Sequence, residues 1–400
     1  MSFSLLVSGF VTLNAIASSL VTENKTRAVS TAYEYFTVMA TTRIHAFDWL
    51  RGLAVLVMIQ THSLVLLLPA THADPLYRFL VRIDGLVAPA FIFTAGFALA
   101  LVQCRAALRP ENRRTQALRS LGRIGEVLLV ATLVNFAWFP LFKEPKWLLR
   151  IDILHCIGLS LLLLLAVLVG LASRPRMLRW VLLGLASLLF GLAPFFETTP
   201  GLLGLFLNNQ PGYLDPQTAT VFPLLPWAGY AFLGASTGAT LSVMQAEREL
   251  WEWLGLLAAL GVFLWGFQDA FNLAYPPHHF WETNPSNAGQ RWALVVGLVA
   301  ALRLVETRWP GSKAWASVKL LATFGASSLS AYVIHEMLLY HHRLGFFTRL
   351  WREQCDWPLY ALVLTGLVTL TWLCVRGWDL LRPHLRERFT AWAKSRRAAS

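Results

Sequence analysis

Apolar stretches of roughly 18 residues or more recur along this 400-residue chain from about position 49 onward, and each is long enough to cross a bilayer as a helix. Inside lipid a backbone must satisfy its own N–H and C=O groups, which leaves helices or closed barrels. The short alternating segments of a barrel are absent, so the sequence predicts an all-α, polytopic membrane helix bundle. Only 14% of the residues are charged, against about 25% in an average soluble protein, which supports the same class. About ten transmembrane helices are expected, at 49–70, 79–103, 120–141, 151–172, 177–197, 220–244, 251–268, 291–305, 314–340 and 357–381.

Basic residues set the orientation. They concentrate in the segments before the first span, between the second and third, and in the tail, while the loops at 198–219 and 269–290 hold none. The positive-inside rule then places both termini in the cytoplasm. Net charge is +12, but its placement in short loops and a tail argues for topology and excludes nucleic acid as a partner. The four cysteines lie far apart, with no CxxC spacing, and read as apolar fillers. Residues 1–38 form an N-terminal extension with a weak apolar run and no basic segment ahead of it, so Met39 is an alternative functional start. A transmembrane domain is expected over 39–381 and a basic cytoplasmic tail over 382–400.

The chemistry-bearing stretch begins at the first span, FDWLRGLAVLVMIQTHS (47–63). An ionisable side chain within a span costs about 2.5 to 3.5 kcal/mol on insertion scales, so it is usually kept for function. At 100° per residue His62 falls about 20° from Arg51 and about 16 Å further along the axis, with Asp48 about 40° to the other side. All three share one helix face. Asp48 and Arg51 also read as an interfacial ion pair, and His62 as a bundle histidine hydrogen-bonded to a neighbour. His72 follows in the outside loop, and Asp84 opens the second span. A histidine oriented by a carboxylate is the usual general base for a hydroxyl or amine nucleophile.

Two further groups are expected on the same side of the membrane. Asp152 and His155 are i and i+3 at the outer end of the fourth span, close enough to touch, or alternatively a helix-terminal carboxylate and its neighbour. In SSLSAYVIHE, Ser328, Tyr332 and His335 fall on one stripe, and Glu336 beside His335 also reads as part of an interfacial pair. The spacing is not HExxH, and no metal is expected. PLLPWAGYAFLG (223–234) reads as a membrane-entry motif, with Pro in a first turn and Trp227 at the interface.

Taken in order, FDWLRGLAVLVMIQTHS, APAFIFTAGFALAL, DILHCIGLSLL, FPLLPWAGYAFLG and FGASSLSAYVIHE resemble the membrane acyltransferases of the heparan-alpha-glucosaminide N-acetyltransferase type and their bacterial relatives, over roughly residues 43–340. The resemblance implies a multi-span enzyme of a bacterial cytoplasmic membrane. Such an enzyme takes acetyl groups from cytoplasmic acetyl-CoA, as a co-substrate, and delivers them to a sugar on the far side. His72, ahead of Asp84, is the counterpart of the key histidine of the lysosomal members, although the spacing is longer. His62 fills the place of the in-span histidine common in bacterial relatives. Both are candidate catalytic residues, with Asp84 and His335.

Asp48, Arg51, Arg113, Arg114, Arg119 and Arg123 are candidates for the CoA phosphates, the arginine cluster having topology-setting and anionic-lipid contact as its alternative reading. Asp152, His155 and Tyr332 are candidates for the acceptor. The partners expected are the lipid bilayer, a glycan or lipid-linked sugar, and a second copy of the chain as a homodimer. A proton-coupled transporter or flippase, using the same intramembrane groups as a relay, is the main alternative, and a non-catalytic membrane subunit the next.

Overall fold

The computed structural model describes residues 44–107, 110–138, 151–199, 204, 222–341 and 344–398. The 1–38 extension and most of the 198–219 loop therefore lie outside the described residues. Fifteen α-helices are described. They are α1 His45–Ser63, α2 Pro75–Asp84, α3 Val87–Ala107, α4 Pro110–Trp138, α5 Ile153–Leu171, α6 Pro175–Phe196, α7 Leu224–Leu241 and α8 Glu247–Gly266. Then follow α9 Gln268–Ala274, α10 Phe280–Thr283, α11 Pro285–Arg308, α12 Ala316–Ala326, α13 Ser328–Tyr340, α14 Phe346–Trp351 and α15 Trp357–Ala398. Among the described residues the only β contact is the bridge Leu67–Cys355, which ties the end of α1 to the start of α15.

Among the described residues seven segments are long and apolar enough to cross a membrane, and eight if α12 and α13, bent by 90°, form one broken span. The chain is thus an all-α integral membrane protein. The count among the described residues stands at seven or eight of the about ten expected. Helices occupy both remaining expected positions, α4 and α7. α4 opens on the charged run around Glu111, Arg113 and Arg114. α7 is rich in Gly, Ala, Ser and Thr, and is covered by protein along nearly its whole length.

Small residues explain that central position. An added Cβ at Gly234 would collide with the carbonyl of Phe93, and one at Gly96 with that of Ala231, so α7 and α3 run with their backbones in contact. α6 packs on the other side of α7. α1 crosses α12 in the same way: a Cβ at Gly52 would strike the carbonyl of Leu321, and one at Gly325 that of Asp48. The start of α1 is anchored by buried Glu306 of α11, which accepts from the backbone N–H groups of His45 at 3.0 Å and Ala46 at 3.2 Å. These are orphan donors of a helix start, and Arg303, at 2.9 Å, balances the carboxylate. α1 is thereby fixed at one end by α11 and at mid-length by α12, while its far end carries His62.

Candidate active site

His62 lies in the last turn of α1, facing α13. Its Nδ1 is 2.5 Å from Oε1 of Glu336 and 2.9 Å from Nε2 of His335. His335 is fully buried, with its Nδ1 2.9 Å from the carbonyl of Ala331. A carbonyl only accepts, so Nδ1 of His335 carries its proton and Nε2 is an acceptor. Nδ1 of His62 is then the donor to both Glu336 and His335. The remaining nitrogen of His62, Nε2, is unprotonated in the neutral ring, and so able to take a proton. Tyr340 fixes the same turn from outside, its hydroxyl donating to the carbonyl of His62 at 2.6 Å.

A cavity of about 820 Å³ opens against this ring. Arg51, His62, Asp84, Asp152, Tyr332 and Glu336 all line it, so residues from α1, α2, α13 and the start of α5 meet in one space. Arg51 lies toward the opposite end, where its guanidinium donates to the carbonyls of Gly325 at 3.3 Å and Thr94 at 3.5 Å. The wall between is largely apolar, with Met58, Phe91, Ile157 and Leu161. Asp84 keeps Oδ1 buried and without a hydrogen-bond partner among the described residues.

The other expected residues fall elsewhere. His72 is exposed, in the 3-10 turn Pro69–Ala73, stacked on Tyr77 with ring centroids 4.3 Å apart, and does not line the cavity. Asp48 is half-buried and off the cavity. Arg114, Arg119 and Arg123 are exposed on α4, and Arg113 donates to the carbonyl of Val169. Asp152 and His155 form a capping box at the start of α5, the side chain of Asp152 accepting from the Ile153 N–H at 2.7 Å. Asp152 thus both caps the helix and faces the cavity, whereas His155 only caps.

The stripe of α13 that lines the cavity is Ser328, Tyr332, Glu336 and Tyr340. The expected stripe of Ser328, Tyr332 and His335 is therefore rotated by one position. His335 points to the buried side, and Glu336 and Tyr340 take the site. The signal was present: four residues at i, i+4, i+8 and i+12 stay within about 40° per step of one face.

Atoms of His62, His335 and Glu336 that can bind a metal lie within 4.8 Å of one another. Tetrahedral zinc, with bonds of about 2.0–2.1 Å to histidine, would hold neighbouring ligand atoms about 3.3 Å apart. Nδ1 of His62 is nearer than that to both neighbours, at hydrogen-bond separations.

A second cluster joins the end of α6 to the 267–284 loop. Buried Glu197 accepts from the backbone N–H of His279 at 3.1 and 3.0 Å, from its imidazole, and from the Thr283 hydroxyl at 2.5 Å. Burial pushes the Glu197 carboxyl up, but the hydrogen bonds from Thr283 and His279 outweigh it and hold it below the usual range. The hydrogen bond to Glu197, and then its charge, raise His279.

The model of the heparan-alpha-glucosaminide N-acetyltransferase catalytic domain matches residues 43–266, which is α1 through α8. The chain belongs to this family. It is a membrane protein with an acyltransferase-type catalytic domain, and the cavity is lined by helices of the family match together with α13, which lies beyond it. No match to a curated protein is found. Within this heparan-alpha-glucosaminide N-acetyltransferase-type domain, His62, Asp84, Asp152 and Arg51 come from the matched segment, while Glu336 and His335 are brought to His62 by α13, beyond it.

Proposed function

We propose that this protein transfers an acetyl group from acetyl-CoA, bound from the cytoplasmic face, to a hydroxyl or amine of a sugar on the other side of a bacterial cytoplasmic membrane, with both termini in the cytoplasm. The observation that carries the reading is the His62–Glu336 pair at the wall of a single cavity that also reaches Arg51, in a chain of this acyltransferase family. Arg51 and the start of α13 at Ser328 face the donor end, where a cation and the N-terminus of a half-helix suit the phosphates of CoA. The apolar wall between suits a thioester-bearing arm.

At the other end, Nε2 of His62 takes the proton of the acceptor as its oxygen or nitrogen attacks the thioester carbonyl. Glu336 and His335 hold Nδ1–H and stabilise the imidazolium that forms. Collapse of the tetrahedral intermediate expels the CoA sulfur, and the proton passes from His62 to that thiolate. Asp84 and Asp152 face the acceptor.

Incubation of membranes with radiolabelled acetyl-CoA, followed by fractionation of envelope glycan and lipid, tests this reading. Label is expected in a sugar-containing fraction and is lost in His62→Ala. The break between α12 and α13 favours a second reading, a proton-coupled transporter or flippase, since broken spans at a membrane-embedded site are common in that class. Movement of substrate without consumption of thioester would support it.

A further inference from the structure

We infer that Trp227, held from behind by Arg291, is the platform on which the ring of the sugar acceptor stacks, with Asp84 receiving its hydroxyl groups. The inference rests on the acyltransferase reading for the acceptor's place beside His62, but not for the existence of the subsite.

Trp227 and Phe222 stand at the start of α7, and both line the cavity. Their rings meet edge to face with centroids 5.1 Å apart. The guanidinium of Arg291, from α11, lies over the Trp227 ring, 5.6 Å from its centroid. A Cβ placed on Gly85 would be 3.7 Å from Arg291 Nη2, so the same guanidinium also supports the turn that follows Asp84. Arg291 therefore fixes two cavity walls relative to each other. A half-buried indole held in this way lines one cavity with the carboxylate of Asp84, whose Oδ1 is buried and without a hydrogen-bond partner among the described residues, so an apolar face and an acceptor group share the space. That combination fits a pyranose, whose C–H face is apolar and whose rim is a ring of hydroxyl donors.

Position selects the acceptor rather than the donor. α7 and α3 pack in register, with Gly234 against Phe93 and Gly238 against Phe97. Trp227 is seven residues before Gly234, or about 10 Å along the axis. It therefore stands toward the Asp84 end of the cavity, away from Thr94, to whose carbonyl Arg51 donates. The sequence motif around Trp227, read as membrane entry, thus has a second use as a cavity wall.

Saturation-transfer NMR on the purified full-length protein, with methyl glycosides of glucose, galactose, mannose and N-acetylglucosamine as probes, measures the subsite without requiring turnover. At least one glycoside should bind to wild type and to His62→Ala alike. Trp227→Ala should weaken that binding roughly tenfold, while Trp227→Phe keeps most of it. Arg291→Gln should weaken it less, and Arg291→Lys should restore it, as expected of a positioning residue. In the transfer assay Trp227→Ala should raise KM for the glycoside, with the Kd for CoA unchanged.

Binding of no glycoside by wild type would overturn the platform. So would a Trp227→Ala variant of unaltered melting temperature that binds the glycoside as wild type does, or one that loses CoA affinity instead, which would place the adenine or the pantetheine arm on the indole. Glycoside binding that depends on Trp227 without any acetyl transfer would leave the platform standing and sink the acyltransferase reading. Transfer that is indifferent to Trp227 would do the reverse.

Discussion

The Nδ1 of His62, at the end of α1, is 2.5 Å from the Oε1 of Glu336 on α13, across a boundary between the family-matched helices and the rest of the chain. The contact fixes the imidazole tautomer, because a carboxylate can only accept. Its consequence is that the catalytic capacity assigned to His62 depends on a helix that lies beyond the match.

Glu336→Gln should therefore impair turnover. An amide can offer its N–H to Nδ1 and favour the wrong tautomer, and loss of an oriented base costs about 10²- to 10⁴-fold. The expected result is a kcat lowered within that range, with Kd for CoA within about twofold of wild type. A variant that loses CoA affinity and keeps kcat would place Glu336 in donor binding.

His62, in the last turn of α1, and His72, in a turn that follows, should separate cleanly. His62→Ala should abolish transfer, while His72→Ala, which removes an exposed ring stacked on Tyr77, should stay within about threefold of wild-type turnover, as expected for a surface substitution. The measurement is labelled-acetate transfer by the two purified variants side by side. A silent His62→Ala with a dead His72→Ala would reverse the assignment.

Much of this was legible in the sequence, and the remainder was not for identifiable reasons. The helical membrane class follows from apolar length alone, and His62, Arg51 and Asp84 stand out because charge in a span is costly. That Arg51 and His62 would line one cavity was readable from 100° per residue. What sets His62 apart from His72 in the proposed mechanism is the docking of α13, a long-range contact with no local signature. Glu336 was overshadowed by His335 because adjacent residues on a helix face different ways, and only packing chooses between them. α7 escapes the span count because its residues are small and covered by protein along nearly the whole helix.

Arg51→Ala should act on binding. Charge-assisted hydrogen bonds contribute about 1.5 to 3 kcal/mol, so CoA affinity should fall roughly 10- to 100-fold while kcat at saturating donor is kept. Titration calorimetry with CoA gives the first quantity and steady-state transfer the second. Unchanged affinity would remove Arg51 from the donor site.

The docking of the 267–284 loop should depend on pH through Glu197 and His279. The lowered carboxyl of Glu197 contributes stability that is complete above its ordinary value of 4.5 and is lost as pH falls through the lowered one. The raised imidazole of His279 contributes stability that is complete below 6.5 and is lost as pH rises through the raised value. Protection of the loop against hydrogen exchange, corrected for the intrinsic rate, should thus be greatest between pH 4.5 and 6.5. His279→Gln should flatten the alkaline limb, and an identical profile in that variant would assign the pH dependence to other groups.

Orientation is tested with a single engineered cysteine. Gln210→Cys lies in a loop free of basic residues and should be labelled by an impermeant reagent from outside intact cells. Labelling only after permeabilisation would invert the whole arrangement, and with it the side from which CoA enters.

The most direct test of acyl transfer through the His62–Glu336 pair is transfer of label from acetyl-CoA to envelope sugar by membranes carrying wild type, His62→Ala or Glu336→Gln. Label should appear in the sugar fraction with wild type and fall by about 10²-fold or more in both variants, at equal protein insertion. Near wild-type transfer by both variants would contradict the account.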